Sequence, residues 1–209
     1  MNNELIKRIL SSIILIPLAL FFIIKGSILF IFFISVCFLI IAYEWYIMSK
    51  KNSYYLIGLI FLILSFTSIY IIRIESSDYL ATLFIATICV STDIGGYIFG
   101  KLFRGPKLTK LSPNKTYAGM FGSYFLSLLS VTTVSFFEID ITKLNHFLFV
   151  IGISSVSQIG DIIISYFKRL SKIKDTGKII PGHGGLLDRA DGMIFAFPFA
   201  FIIIYIGFF

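Results

Sequence analysis

Residues 144–172 read LNHFLFVIGISSVSQIGDIIISYFKRLSK, a run that is apolar along most of its length and basic at its end. At a helical rise of about 1.5 Å per residue, roughly 20 such residues cross a hydrocarbon core about 30 Å thick. Leu144 to Phe167 therefore reads as a transmembrane helix that leaves the membrane at Lys168 and Arg169. Asp161 breaks the pattern: it lies seven residues before Lys168, about 10 Å inside the helix end. A carboxylate there is costly and marks a partner, a cation or a water-filled cavity. Gln158, Asp161, Ser165, Lys168 and Lys172 follow spacings of three or four and share one face, which runs from acid to base.

The rest of the chain repeats this pattern. Of its 209 residues 57% are apolar and 14% charged, far more apolar surface than a soluble domain buries. Seven spans are expected: Ile9 to Ile24, Ile28 to Met48, Tyr54 to Ile72, Tyr79 to Gly100, Tyr117 to Phe137, Leu144 to Phe167 and Gly192 to Phe208. With the N-terminus in the cytoplasm, only Lys25, Arg73 and Lys143 of the 18 basic residues fall outside. That asymmetry predicts an all-α polytopic membrane protein with a cytoplasmic N-terminus and an external C-terminus. The first apolar run has no small-residue cleavage site and reads as a retained helix. The net charge of +7 is topogenic, and no nucleic-acid partner is expected. Cys37 and Cys89 sit in apolar stretches, without metal-ligand spacing.

Three acids lie within spans: Glu44, Asp93 and Asp161. Asp93, eight residues before Lys101, matches Asp161 in depth, so the acids gather in a layer just below the cytoplasmic surface. Such a layer suits an inward-open polar pocket better than a path across the membrane. Glu44, beside Trp45 and near Lys50, reads instead as an interfacial acid that snorkels to water.

Two cytoplasmic loops are longer than connection requires, 101–116 and 168–191. The first is basic and ends in Ser112-Pro113-Asn114-Lys115-Thr116, whose hydroxyls and lysine at a helix start make an anion site. The second interleaves Lys, Arg, Asp and Gly. Phosphate chemistry asks for that mixture: carboxylates for a divalent cation, bases for phosphate oxygens, and glycines for close backbone approach at Gly182-His183-Gly184-Gly185. His183 is expected to contact phosphate, since no second His or Cys is spaced to form a metal site with it.

The order Ser165-x2-Lys168-Arg169-x4-Lys174-Asp175-x-Gly177-x3-Pro181-x-His183-Gly184-Gly185-x2-Asp188-Arg189-x-Asp191 closely resembles the signature of the phosphatidate cytidylyltransferases, or CDP-diglyceride synthetases. Gly160-Asp161 resembles the acidic position before that signature, and Asp93 the family's earlier intramembrane aspartate. Ser112 to Gly119 is similar to the family's Ser-Pro-Lys-Lys-Thr-Trp-Glu-Gly element, but carries Tyr117-Ala118 in place of Trp-Glu. The acid of that element is thus missing here, or another residue such as Glu44 supplies it. The chain also looks shorter than typical members by a pair of helices in its first half.

The resemblance implies joining of phosphatidic acid to CTP, giving CDP-diacylglycerol and pyrophosphate, in a bacterial cytoplasmic (inner) membrane with the site facing the cytoplasm. It implies Mg²⁺ held by Asp161 and Asp188, with or without a monovalent ion such as K⁺. Lys168, Arg169, Lys174 and Arg189 become phosphate ligands, with Ser165, Asp175 and His183 orienting them or the nucleotide. Asp93, Ser112, Lys115, Gly184, Gly185 and Asp191 complete the expected substrate contacts. Residues 1–80 read as variable transmembrane helices without assigned chemistry, and 81–209 as the catalytic region; a homodimer stays open. The competing expectations are a cation-coupled transporter, whose acids would lie at the midplane, and an inactive relative, for which Ala118 is the hint. A CDP-alcohol phosphotransferase lacks support, because the Asp-Gly-x2-Ala-Arg arrangement is absent.

Overall fold

A computed structural model describes residues 3–50, 52–75, 79–109, 112, 115–135, 144–177, 179 and 184–207. Among the described residues there are seven helices and no strand: α1 (Asn3–Lys25), α2 (Ser27–Ser49), α3 (Tyr55–Glu75), α4 (Leu80–Phe103), α5 (Tyr117–Ser135), α6 (Leu144–Leu170) and α7 (Leu187–Tyr205). Each expected span falls on one of them, though α7 begins at Leu187 rather than Gly192. Four helices, α2, α3, α4 and α6, are long and apolar enough to cross a membrane. With large apolar side chains such as Ile28, Phe32, Leu39 and Ile57 left exposed, the chain is an integral membrane protein.

The chain divides into two compact units, Met1–Leu83 with Phe167–Asp191, and Phe84–Tyr166 with Gly192–Phe209. The stretch that carries the charged segment therefore groups with the first three helices, although the 83 residues 84–166 separate the two parts of this unit.

In the first unit, the turn after α1 depends on Gly26, at φ 63°. The Arg73 guanidinium of α3 reaches into that turn, donating from Nε to the Ile23 carbonyl at 2.9 Å. A Cβ on Gly26 would overlap Arg73 Nη2. Arg73, one of the few bases expected outside, thus caps the unsatisfied carbonyls of α1. At the other end of α2, the buried Trp45 donates its indole N–H to the Tyr55 carbonyl at 3.0 Å and lies against Gly58, where a Cβ would overlap the indole. Phe167 packs on Trp45 and Tyr54 with centroids 5.4 and 4.7 Å apart. Ser171 donates to the Met48 carbonyl at 2.8 Å.

α6 stops in a Schellman motif: Lys172 N–H bonds the Arg169 carbonyl and Ile173 N–H the Lys168 carbonyl, each at 3.0 Å. Lys172 sits at φ 57°, a region that costs a side chain and that glycine takes freely. Lys172→Gly is expected to stabilise the protein by about 1 kcal/mol and to raise Tm in detergent by roughly 2–4 °C. A lower Tm would show that the lysine side chain itself contributes to folding.

In the second unit, α4 and α5 approach backbone to backbone. A Cβ on Gly95 would lie 2.3 Å from the Gly122 carbonyl oxygen, and one on Gly119 would lie 2.8 Å from the Gly96 carbonyl oxygen. Small residues let helices meet this closely where lipid supplies no hydrophobic drive. Hydrogen bonds fasten the contact: Ser123 Oγ donates to the Thr92 carbonyl at 2.7 Å, and Thr92 Oγ1 to Ser154 Oγ of α6 at 2.9 Å. Between α4 and α5 the chain doubles back, with Leu108 N–H on the Lys115 carbonyl at 2.8 Å. Thr116 then caps α5 by accepting the Gly119 N–H at 3.1 Å.

Candidate active site

Asp188 stands in the first turn of α7 with its side chain only 6% exposed, against Lys168 at 12%. Its Oδ1 accepts Lys168 Nζ at 2.9 Å, while Oδ2 accepts the amides of Thr176 at 2.8 Å and Gly185 at 3.0 Å. Burial is the largest single influence on this carboxyl and opposes its charge. The Lys168 hydrogen bond, the Thr176 amide, the Lys168 charge and the Gly185 amide together outweigh it, holding Asp188 below its ordinary 3.8. The result is an ionised acid fixed by three donors, one of them cationic.

Glu44 of α2 is 1% exposed. It does not snorkel to the interface, as its position near Trp45 and Lys50 had predicted. Its Oε2 accepts the Leu187 amide at 2.8 Å and Thr176 Oγ1 at 3.1 Å, and its Oε1 accepts the Leu186 amide at 3.0 Å. Two of these donors are free N–H groups at the start of α7, where a helix favours an anion. Here the chain's own carboxylate supplies it. The first 80 residues, kept apart from the chemistry on sequence grounds, thus reach the charged segment directly.

The glycines of the segment follow from these two acids. A Cβ on Gly185 would overlap Thr176 Oγ1 and lie 2.6 Å from Glu44 Oε2, one on Gly177 would lie 2.7 Å from Glu44 Oε1, and one on Gly184, at φ 87°, 2.9 Å from Asp188 Oδ2. The backbone approaches anions closely, as the glycines led one to expect, and the anions it meets are Glu44 and Asp188. The Gly185 amide is given to Asp188, not left open.

The second unit has its own acid–base pair. Lys115 Nζ contacts Asp161 Oδ2 at 2.5 Å and the Gln158 carbonyl at 3.3 Å. Asp161 Oδ1 accepts Ser165 Oγ at 3.3 Å, so the polar stripe read along α6 does bring these two together. Asp161, for which a partner, a cation or a water-filled cavity were all open, thus has a basic partner in Lys115, just before α5. Asp93 lies on an exposed face of α4. The Ser112 amide is donated to Thr109 Oγ1 at 3.1 Å.

Of the other expected site residues, Arg169, Lys174, Asp175 and Arg189 are exposed, whereas Asp191 is 8% exposed. His183 lies outside the described residues. Thr176 is the residue that sequence reasoning missed, and Glu44 was named only as a substitute for the missing acid of the Ser112–Gly119 element, with no contact to this segment expected. An acid within an apolar helix was the signal for Glu44, and its interfacial position favoured the reading that it snorkels to water.

A sequence model of the cytidylyltransferase family matches residues 50–207. The chain belongs to the cytidylyltransferase family. This cytidylyltransferase is 36% identical to the phosphatidate cytidylyltransferase of Rickettsia prowazekii, over 97% of this chain and 92% of that protein. It is 36% identical to that of Rickettsia bellii, over 97% and 91%. With the phosphatidate cytidylyltransferase of Staphylococcus epidermidis (strain ATCC 12228) it shares 34% identity over 82% of this chain and 67% of that protein. The chain is thus an enzyme of the nucleotidyltransferase class, and the transporter expectation falls.

The family resemblance implies a divalent cation, and the donors can be judged for it. Among the described residues no three His, Cys, Asp or Glu side chains are grouped to hold an ion by themselves. Mg²⁺ asks for less: one or two carboxylates, with phosphate oxygens and water completing its shell. Asp188 in the first unit and Asp161 in the second are each a carboxylate of the kind such a shell takes. Each touches one ammonium group, at a place a cation would compete for. Each also keeps lone pairs beyond the hydrogen bonds described, since a carboxylate offers about four.

Proposed function

We propose that this protein transfers the cytidylyl group of CTP to phosphatidic acid, forming CDP-diacylglycerol and pyrophosphate at the cytoplasmic face of a bacterial inner membrane. The reading is carried by likeness along nearly the whole chain to proteins named phosphatidate cytidylyltransferase. A phosphate oxygen of the lipid attacks the α-phosphorus of CTP in line. The new P–O bond forms as the bond to the bridging oxygen breaks, and pyrophosphate leaves with that electron pair. The nucleophile is already an anion, so no general base is required; positioning and charge neutralisation carry the rate.

Lys168, Arg169, Lys174 and Arg189 neutralise phosphate oxygens. Ser165, Asp175 and His183 orient the nucleotide or these bases, with Asp93, Ser112, Lys115, Gly184, Gly185 and Asp191 in supporting contacts. Asp188 and Asp161 are the carboxylates offered to Mg²⁺, with K⁺ as a candidate companion ion. Bound there, the metal screens phosphate charge and stabilises the leaving group. The seven spans expected from the sequence cross the membrane with the N-terminus inside, placing 15 of the 18 Lys and Arg residues in the cytoplasm. The lipid then enters sideways with its acyl chains still in the bilayer.

The test is direct: purified protein in liposomes with phosphatidic acid, Mg²⁺ and labelled CTP should yield labelled CDP-lipid. Absence of product, where the Staphylococcus epidermidis enzyme works under the same conditions, overturns the reading.

A further inference from the structure

The Glu44 carboxylate lies where no part of the proposed reaction requires it. We infer that Glu44 is a positioning residue, acting through Thr176 to set Asp188 in place. The inference rests on the cytidylyl transfer proposed above.

The argument begins with Thr176, which is 6% exposed and clamped from two sides. Its hydroxyl donates to Glu44 Oε2 at 3.1 Å and its amide donates to Asp188 Oδ2 at 2.8 Å. Glu44 also takes the Leu186 and Leu187 amides, which open the helix that carries Asp188. It therefore controls both the donor that Asp188 accepts from and the backbone on which Asp188 is mounted. All three of its partners are donors. A glutamine of the same shape brings an NH₂ group that must face one or more of them, which costs a hydrogen bond and opposes two donors. Gly177 and Gly185 leave room for the carboxylate, since a Cβ on either would come within 2.7 Å of it. A filler of volume would need neither three converging donors nor two glycines.

The experiment compares Glu44→Gln, Thr176→Val and Thr176→Ser with the wild type in liposomes, measuring kcat and KM for CTP and hydrogen exchange across 168–191. Glu44→Gln and Thr176→Val should each lower kcat by about tenfold or more, while KM for CTP changes by less than about threefold. Thr176→Ser keeps both the hydroxyl and the amide and should stay within about threefold of the wild type. The double variant Glu44→Gln with Thr176→Val should be no worse than Glu44→Gln, because both changes cut one chain of contacts. Amides of residues 176 and 186–188 should exchange faster in Glu44→Gln.

Wild-type kcat in both Glu44→Gln and Thr176→Val overturns the inference, as does a Thr176→Ser loss equal to that of Thr176→Val, which would make side-chain volume the cause. A wild-type protein that forms no CDP-lipid defeats the proposed reaction instead. Exchange then judges the clamp alone, and unchanged protection in Glu44→Gln removes it.

Discussion

Replacing Asp188 with asparagine is expected to lower CDP-lipid formation by at least about 10²–10³-fold, the scale on which one preorganised charge contributes to such a reaction. The change is nearly isosteric, and the asparagine oxygen can still accept the Thr176 and Gly185 amides. What it removes is the anion facing Lys168 Nζ at 2.9 Å. With Lys168 only 12% exposed, its ammonium is left buried without a counter-charge, a loss of about 3–5 kcal/mol when a buried pair is broken from one side. The double change Asp188→Asn with Lys168→Met should recover much of that stability and none of the activity. Full activity in Asp188→Asn would remove this acid from the site, and unrestored stability in the double variant would show that the ion pair is not the source of the loss. The pH profile gives a second readout. Asp188 is held below 3.8, so its contribution to stability is present above that pH and is lost as pH falls through the depressed folded value. The wild type should lose stability more steeply below about pH 4 than Asp188→Asn does.

Gly95→Ala should be the most damaging single methyl group in the second unit. Its Cβ would lie 2.3 Å from the Gly122 carbonyl oxygen and 2.9 Å from Ser123 Cα, and both are backbone. No rotamer change relieves such a contact, so α4 and α5 must separate. Overpacking of this kind costs about 1–3 kcal/mol, with backbone collisions at the upper end. Separation would also lengthen the Ser123–Thr92 hydrogen bond, now 2.7 Å. A fall in Tm of roughly 6–12 °C in detergent is expected, with little change for the adjacent Ile94→Val, whose side chain is 47% exposed. Equal Tm values for the two variants would mean that the helices are not held by close glycine contact.

Much of this arrangement was legible in the sequence because it is local. Helix positions follow from runs of apolar residues, and the cost of an acid inside a span marks Asp161 as needing company without saying that Lys115 provides it. The ends of α6 and α7 were less readable, since the polar residues from Lys168 and up to Asp191 continue the helices without looking like membrane. Glu44 was misread for a physical reason. Its partners lie 132–143 residues away in sequence, and nothing in the local pattern around Trp45 distinguishes an acid that reaches water from one that reaches a distant helix end. The glycines suffered similarly: composition showed that the backbone meets an anion closely, but not whose anion it is. Arg73 had been counted only as charge on the outer side, whereas its guanidinium closes the end of α1.

The carboxylate at the start of α7 also bears on how a catalytic cycle ends. A bare helix N-terminus retains phosphate well, and one next to a site of pyrophosphate formation would hold the product back. With Glu44 already on the Leu186 and Leu187 amides, that seat is filled. In the proposed reaction that helix end is therefore closed to the departing pyrophosphate, which has to be met by side chains instead.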